Sequence, residues 1–445
     1  MQKNIKKWCA FILILWLPAL SAQSLKDAVK QAMNTNPEIL QNQMDTLATK
    51  QEVNVAKGAF YPRVEITSGF GREQTESPIT QDLAGTNKNT LNRIELNATM
   101  TQNIFSGGSL EGEFERNKHS FFSKNYKTIG TANDIALEVT EAYLNVILQK
   151  EIINISKVNY KKHKDLLGLI EQRANAGIAR EAELNQALAR VNLAKVNLIN
   201  AEGNYQEARI KFKKVVGTWP TKLELPTPPN NKQFPNTPKK AIEAGLSFHP
   251  LMLAATADIR EAQSQQKVAT ATFFPKVDAV LSASRNRNLD GLSGKNFDNL
   301  AAIRASYTPF KGGSDVADAK RTAFLVKQAY EVRNTTIIDI KETIGLSYNA
   351  WETTTGKEKE LKKYVVNVQK TKNAYFEQFK IGKRSLLDLL NSQNEEYRAK
   401  VDYRQAQNEE ILARYRILNG IGTLLPYLDE HCKLNACWNK KHNMA

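Results

Sequence analysis

FKIGKRSLLDLLNSQNEEYRAKVDYRQAQNEEILARYRILNGIGTLLP, residues 379–426, opens on a glycine turn, continues as a long polar helix with apolar residues at helical spacing, and closes on a glycine and a proline. Its twin is ANAGIAREAELNQALARVNLAKVNLINAEGNYQEARIKFKKVVGTWP, residues 174–220. At a constant shift of 205, Gly177 pairs with Gly382, Glu183 with Asp388, Tyr143 with Tyr348, and Gly217 with Gly422. The same shift pairs Phe105-Ser106-Gly107-Gly108 with Phe310-Lys311-Gly312-Gly313. A shift of 213 pairs Pro37 with Pro250, and Phe60-Tyr61-Pro62 with Phe273-Phe274-Pro275. The eight extra residues place a longer loop in the first copy, between residues 71 and 92. One unit is duplicated, and the fold has to explain a repeat of that length.

The 445 residues are 41% hydrophobic, with mean hydropathy −0.47. One run, Ala10–Leu20, is apolar enough to enter a bilayer as a helix. It follows Lys3, Lys6 and Lys7, is too short to span, and ends in small residues, which reads as a secretory signal peptide over residues 1–22. Cys9 precedes the run, so a lipoprotein signal is not expected. A mature chain without a transmembrane helix enters a membrane only as β-strands. The formal charge is +16, or +13 without the three signal lysines. Lys and Arg are spread among Glu and Asp along helices, as on solvated helix faces, and no nucleic-acid partner is expected. Cys432 and Cys437 fit a disulfide in an oxidising compartment, with free thiols as the alternative. His431 and His442 flank them at a spacing that matches no standard metal motif, and no metal site is expected.

Along the chain, Leu25–Lys57 reads as a helix broken at Asn36-Pro37. The period then changes to two. Val64, Ile66, Ser68 and Phe70 alternate with Glu65, Thr67 and Gly69; Ile94, Leu96, Ala98 and Met100 alternate with Arg93, Glu95, Asn97 and Thr99. One apolar and one polar face is the pattern of a barrel wall between lipid and water. Residues from Ser109 to about Arg173 lack proline and form a helix on the order of 100 Å long at ~1.5 Å per residue. Gly177 permits a reversal and Glu181–Val216 returns. Thr218–Pro238, rich in Pro, Asn and Lys, links the copies. The second copy repeats the plan: a helix broken at His249-Pro250, strands around Val277–Ala283 and Ala301–Tyr307, a helix from Ser314 to about Phe379, a reversal at Gly382, and a return to Ile421. The expected organisation is signal peptide 1–22, first repeat 23–217, linker 218–238, second repeat 239–427 and tail 428–445. Four strands do not close a transmembrane barrel, which needs at least about eight. An open sheet edge finds no hydrogen-bond partners in lipid. The protein is therefore expected to be an oligomer that pools its strands.

These features resemble the TolC family of outer-membrane exit ducts over essentially the whole mature sequence. The marks are the duplicated plan, the Asn-Pro in the first helix, Phe-Tyr-Pro before the strands, Phe-x-Gly-Gly after them, and GKRSLLDLL at 382–390. GKRSLLDLLNSQNEEYRAKVDY and ARYRILNGIGTLL are similar to the branch that serves type I protein secretion. GIAREAELNQALARVNLAKVNL and VVGTWPTKLELP resemble ducts that export large adhesins. The resemblance implies an α+β membrane protein: a homotrimer with a 12-stranded transmembrane β-barrel, four strands per chain, continued by a long periplasmic α-helical coiled-coil barrel. It implies a cell outer-membrane location, contact with outer-membrane lipid, a periplasmic adaptor (membrane-fusion) protein and an inner-membrane ABC transporter as partners, and no cofactor.

The resemblance also implies where a gate lies. The turns at Gly177 and Gly382 would form the periplasmic tip and contact the adaptor. Two positions match the family's acidic rings: Asp388 keeps the carboxylate and Asn391 replaces it, so a trimer carries three ring carboxylates from this turn rather than six. Arg384 and Glu183 match a lock between the two repeats, and Phe379 would be its aromatic partner, without the hydroxyl. Glu183 and Asp388 also lie in the first turns of their helices, where a carboxylate suits the positive end of the macrodipole, so capping and gating stand side by side.

The function classes separate on what is missing. Five histidines are scattered, and no phosphate-cradling glycine loop, nucleophile elbow or catalytic carboxylate pair is present, so no enzyme is expected. A type I secretion duct for a polypeptide is the leading reading. A duct of a drug or metal efflux pump is the alternative. A periplasmic coiled-coil protein outside the membrane is opposed by the duplicated strands.

Overall fold

The computed structural model describes residues 23–85, 88–230 and 235–429. The signal segment 1–22 and the Cys432–Cys437 pair lie outside the described residues. The elements are α1 (Leu25–Thr35), α2 (Pro37–Gly58), β1 (Arg63–Thr75), α3 (Pro78–Ala84), β2 (Asn89–Phe105), α4 (Ser109–Asn175) and α5 (Glu181–Val216). The second copy supplies α6 (Pro238–Phe248), α7 (Pro250–Thr270), β3 (Lys276–Arg287), β4 (Lys295–Ser306), α8 (Ser314–Lys380), α9 (Leu386–Ile421) and the short α10 (Leu424–Leu428). Among the described residues no helix is long and apolar enough to cross a membrane. The chain divides into two units. Among the described residues, one gathers 23–32, 138–228 and 354–412, and the other gathers 33–137, 229–353 and 413–429.

The second unit contains the sheet, four antiparallel strands in the order β1-β2-β3-β4. Its register sorts the two faces. Met100 lies opposite Val64 and Leu281, and Leu281 lies opposite Ala301, which makes one apolar row. Asp278 lies opposite Asn103 and Arg304 in a polar row on the other face. On the apolar face Phe70 is 79% exposed, Ile66 70% and Ile303 74%, a surface too greasy for water and suited to lipid. On the polar face Arg93 holds Glu73 at 2.9 Å and also Glu95. Within the described residues the outer sides of β1 and β4 have no strand partner.

Chain chemistry explains the breaks. Asn36 caps α2 by accepting the Glu38 N–H at 2.9 Å, and His249 caps α7 by accepting the Leu251 N–H on Nδ1 at 3.2 Å. In both, a proline takes the first helical position. The longer loop of the first copy holds α3, started by a reciprocal cap between Ser77 and Thr80. Asn89 ties this loop to the β3–β4 turn by donating to the Gly291 carbonyl at 2.8 Å.

The chain continues past Ile421 to the end of the second repeat. Gly422, at φ +84°, reverses it and α10 follows, burying Leu424, Leu425 and Leu428. Leu425 N–H donates to Asn133 Oδ1 at 3.1 Å. Burying three leucines in five residues removes their apolar surface from water, at about 1.5–3 kcal/mol each when burial is complete.

The other unit is built from the far halves of the two helical hairpins, α4–α5 and α8–α9. Tyr143 is fully buried; its hydroxyl lies 2.7 Å from the carbonyls of Gln23 and Glu224 and accepts Glu224 N–H at 3.0 Å. In the sheet-bearing unit the twin Tyr348 donates to the Pro235 carbonyl. Each copy's tyrosine thus anchors a part of the segment that joins the repeats.

Candidate gate at the helix turns

The two hairpin turns close by the same backbone chemistry. Ile178 N–H bonds the Arg173 carbonyl at 2.9 Å, and Lys383 N–H bonds the Gln378 carbonyl at 2.9 Å. Gly177 (φ +73°) and Gly382 (φ +74°) supply the left-handed residue that such a helix ending requires. A Cβ at either position meets nothing within 4 Å, so only backbone strain opposes a side chain. Gly177→Ala and Gly382→Ala should therefore each cost about 1–2 kcal/mol. Similar falls in denaturation midpoint check this; a loss several times larger at either site would show a packed turn instead.

Behind the turns the hairpins share an apolar cluster: Leu166 and Ile170 of α4, Ala187 of α5, Phe379 of α8, and Leu386, Leu389 and Leu390 of α9. Phe379 is 5% exposed, with the Arg173 guanidinium 4.9 Å from its ring centroid. Arg384 instead stacks on Tyr375, 4.0 Å from the ring centroid, and its Nη1 lies 3.9 Å from Asp388 Oδ2. The aromatic beside Arg384 is thus the tyrosine one turn before Phe379. Its helical offset of four residues from Phe379 was a signal in the sequence that could have raised it as a second candidate.

The two carboxylates differ in their duties. Glu183 Oε2 accepts the Arg180 N–H at 3.1 Å and so caps α5. Asp388 lends its own N–H to Ser385 Oγ at 3.2 Å; the serine is the cap of α9, which leaves the Asp388 carboxylate to Arg384. Among the described residues no ion pair joins Arg384 to Glu183, and Arg384 Nε is buried without a partner. Asn391 Oδ1 accepts from Arg190 Nη2 of α5 at 2.9 Å, a contact that sequence reading missed. The geometry therefore brings Arg384 to Asp388, and Asn391 to a basic residue of the other repeat. The arrangement suits electrostatic gating and helix–helix clamping. Among the described residues no three of His, Cys, Asp and Glu converge as metal ligands.

A sequence profile described as outer membrane efflux protein matches residues 28–218 and 241–423. Outer membrane efflux protein BepC of Brucella suis is 21% identical, over 91% of this chain and 87% of its own length. Outer membrane protein TolC of Escherichia coli is 22% identical, over 91% and 83%. Alkaline protease secretion protein AprF of Pseudomonas aeruginosa is 19% identical, over 95% and 89%. The crystal structure of the Campylobacter jejuni CmeC outer membrane channel superposes with a TM-score of 0.80 at 14% identity, covering 90% of this chain and 86% of that one, a likeness of fold.

Proposed function

The chain belongs to the outer membrane efflux protein family, and we propose that it is the outer-membrane exit duct of a type I secretion system, passing a polypeptide from an inner-membrane ABC transporter and its periplasmic adaptor to the exterior. It is a TolC-family protein of the outer membrane. Channels of this family are passive, and they work as homotrimers with adaptors and inner-membrane pumps. The observation that carries the duct is the sheet: four strands with one lipid-suited face and two open edges. Three copies pool twelve strands, above the minimum of about eight, and closure satisfies every edge.

Polypeptide cargo is supported by the turn GKRSLLDLLNSQNEEYRAKVDY and by a relative named for protease secretion, AprF. An adhesin is the cargo that the first-repeat helix suggests. The gate reading assigns Asp388 to the entrance ring, Gly177 and Gly382 to the adaptor-facing turns, and Arg384, Glu183, Asn391 and Phe379 to the closed state. Efflux is the second reading, favoured by BepC, which is named an efflux protein.

Deleting the gene and comparing surface and medium proteins, beside sensitivity to dyes, detergents and antibiotics, separates the two. Loss of one large exported protein with unchanged sensitivity is expected. An intact set of exported proteins with raised sensitivity would replace secretion by efflux.

A further inference from the structure

Charge on the sheet is sorted by face. The register sets Val64, Met100, Leu281 and Ala301 on the apolar face, and every second residue along each strand stays with them. All five carboxylates of the four strands, Glu65, Glu73, Glu95, Asp278 and Asp298, fall on the other, polar face. The ion pairs within the strands, Arg63 with Glu65, Arg93 with Glu73 and Glu95, and Lys276 with Asp278, stand there too. The apolar face carries four charges, all of them cations: Arg72 on β1, Arg285 and Arg287 on β3, and Lys295 on β4. All four are exposed and lie toward the connecting loops. Toward the helices this face of β3 and β4 is uncharged, with Val277, Ala279, Ile303 and Ala305. Arg287 lies directly opposite Lys295, a like-charge pairing that destabilises a sheet unless an anion joins it. Arg285 is held in place: its guanidinium stands 5.1 Å from the Phe297 ring centroid, and its Nη1 donates to the Ser284 carbonyl at 2.8 Å and to Asn299 Oδ1 at 3.1 Å. Among the described residues its Nε and Nη2 have no acceptor.

We propose that Arg72, Arg285, Arg287 and Lys295 form a binding patch for the phosphate groups of a glycolipid in the outer leaflet of the outer membrane. Position carries the assignment. The long helices leave the strands at their periplasmic ends, so the loop ends face the exterior. A cation on the lipid-facing side of a barrel is costly in hydrocarbon and tolerated at the interface, where a headgroup supplies its counter-ion. A membrane with anionic headgroups in both leaflets would favour cations at both ends of this face. The strands carry them at one end, which assigns the anion to the outer leaflet. Phosphate suits the donors, since guanidinium forks bind its oxygens in pairs and an ammonium adds a point charge. Phe70 shares the row of Arg287 and Lys295, and Phe297 lies opposite Arg285; at 79% and 58% exposed, the rings sit where a barrel carries its aromatic girdle, beside the start of the acyl chains. In the homotrimer the patch repeats three times around the barrel. It rests on the membrane barrel and is independent of which cargo the duct passes.

The test titrates detergent-purified trimers of the full-length protein with fluorescent lipid A carrying two phosphates, with the same lipid after removal of its phosphates, and with inorganic phosphate as competitor. The parent protein should bind the phosphorylated lipid about tenfold or more tightly than the dephosphorylated one, as charge-assisted hydrogen bonds to phosphate require. Arg285→Gln, Arg287→Gln and Lys295→Gln combined should abolish that preference. Arg63→Gln, Lys276→Gln and Arg304→Gln combined, an equal loss of charge on the polar face, should keep it. Arg287→Gln alone should lower it about threefold, and this variant decides the matter if the triple one fails to assemble. Equal binding of the two lipids by the parent, or an unchanged preference in Arg287→Gln and in the apolar-face triple variant, would overturn the patch. Displacement of the lipid by inorganic phosphate at equal concentration would also overturn it, as the mark of a site for a free anion. Recovery of the parent protein outside the outer-membrane fraction would instead remove the barrel on which the patch stands.

Discussion

Gly107→Ala should destabilise the protein by about 2–5 kcal/mol, whereas Gly312→Ala, at the equivalent corner of the second copy, should cost about 1–2 kcal/mol. Both glycines have left-handed backbones, φ +65° and +62°. That strain is common to the pair, because any residue with a Cβ resists this conformation. The surroundings differ. A Cβ at Gly107 would stand 2.6 Å from the Ala271 carbonyl oxygen and 2.8 Å from Phe274 Cβ, whereas one at Gly312 meets nothing within 4 Å. The carbonyl belongs to the backbone at the end of α7, so relief requires the strand-to-helix corner to move as a whole. Denaturant midpoints of the two variants in detergent, compared with the parent, give the difference directly. Equal losses would mean that the corner in the first copy yields without cost and that packing there is looser than the distances indicate.

The second large effect is expected from acid. Burial pushes His163 down to about 4, with Arg190 and Lys162 adding to the shift, and burial alone pushes His249 down to about 4. His163 is 4% exposed and its Nδ1 has no partner. His249 uses Nδ1 to accept the Leu251 N–H, which a protonated ring does not do. In the unfolded chain both titrate near the ordinary value of 6.5. Between 6.5 and about 4 the unfolded chain binds the protons, so stability present above 6.5 is lost as the pH falls through that window. At ~1.4 kcal/mol per pH unit, each histidine contributes on the order of 3 kcal/mol across it. His163→Gln with His249→Asn, the asparagine keeping a cap acceptor, should flatten the slope of stability against pH between 6.5 and 5. That interval lies mostly above the range in which ordinary carboxylates titrate. An undiminished slope in the double variant would assign the acid sensitivity to other groups.

Much of this architecture is written in local spacing. Asn36-Pro37 and His249-Pro250 interrupt helical patterns and become caps, since a proline suits a helix start and the residue before it leaves the helical region. Val64, Ile66 and Phe70 alternate with polar neighbours and stand on one face, because successive side chains of a strand point to opposite sides. α10 was harder to read, since Gly422 and Pro426 look like terminators. Its three leucines are buried only because the rest of the sheet-bearing unit offers them a surface. At the turns, Gly177 and Gly382 were legible from the repeat. The partner of Arg384 was not: Phe379 and Tyr375 lie four residues apart on the same helix, and the resemblance pointed to the phenylalanine. The fold sends Phe379 into the apolar cluster and leaves Tyr375 to the guanidinium.

By itself, then, the sequence determined the duplication, the helix–strand–strand–helix–helix unit, the two-faced strands and the need for several copies to close them. Each follows from periods of 2 or 3.6 residues and from glycine and proline at fixed places. Only the tertiary structure decided that Arg190 meets Asn391, that Glu183 caps its own helix while Asp388 faces Arg384, and that Lys162 crosses to Glu396, 234 residues away in sequence. A helical pattern states which residues share a face. Which faces meet, and at what height along the helices, is set by how whole hairpins pack, and that energy is spread over the apolar seams rather than held in any charged pair.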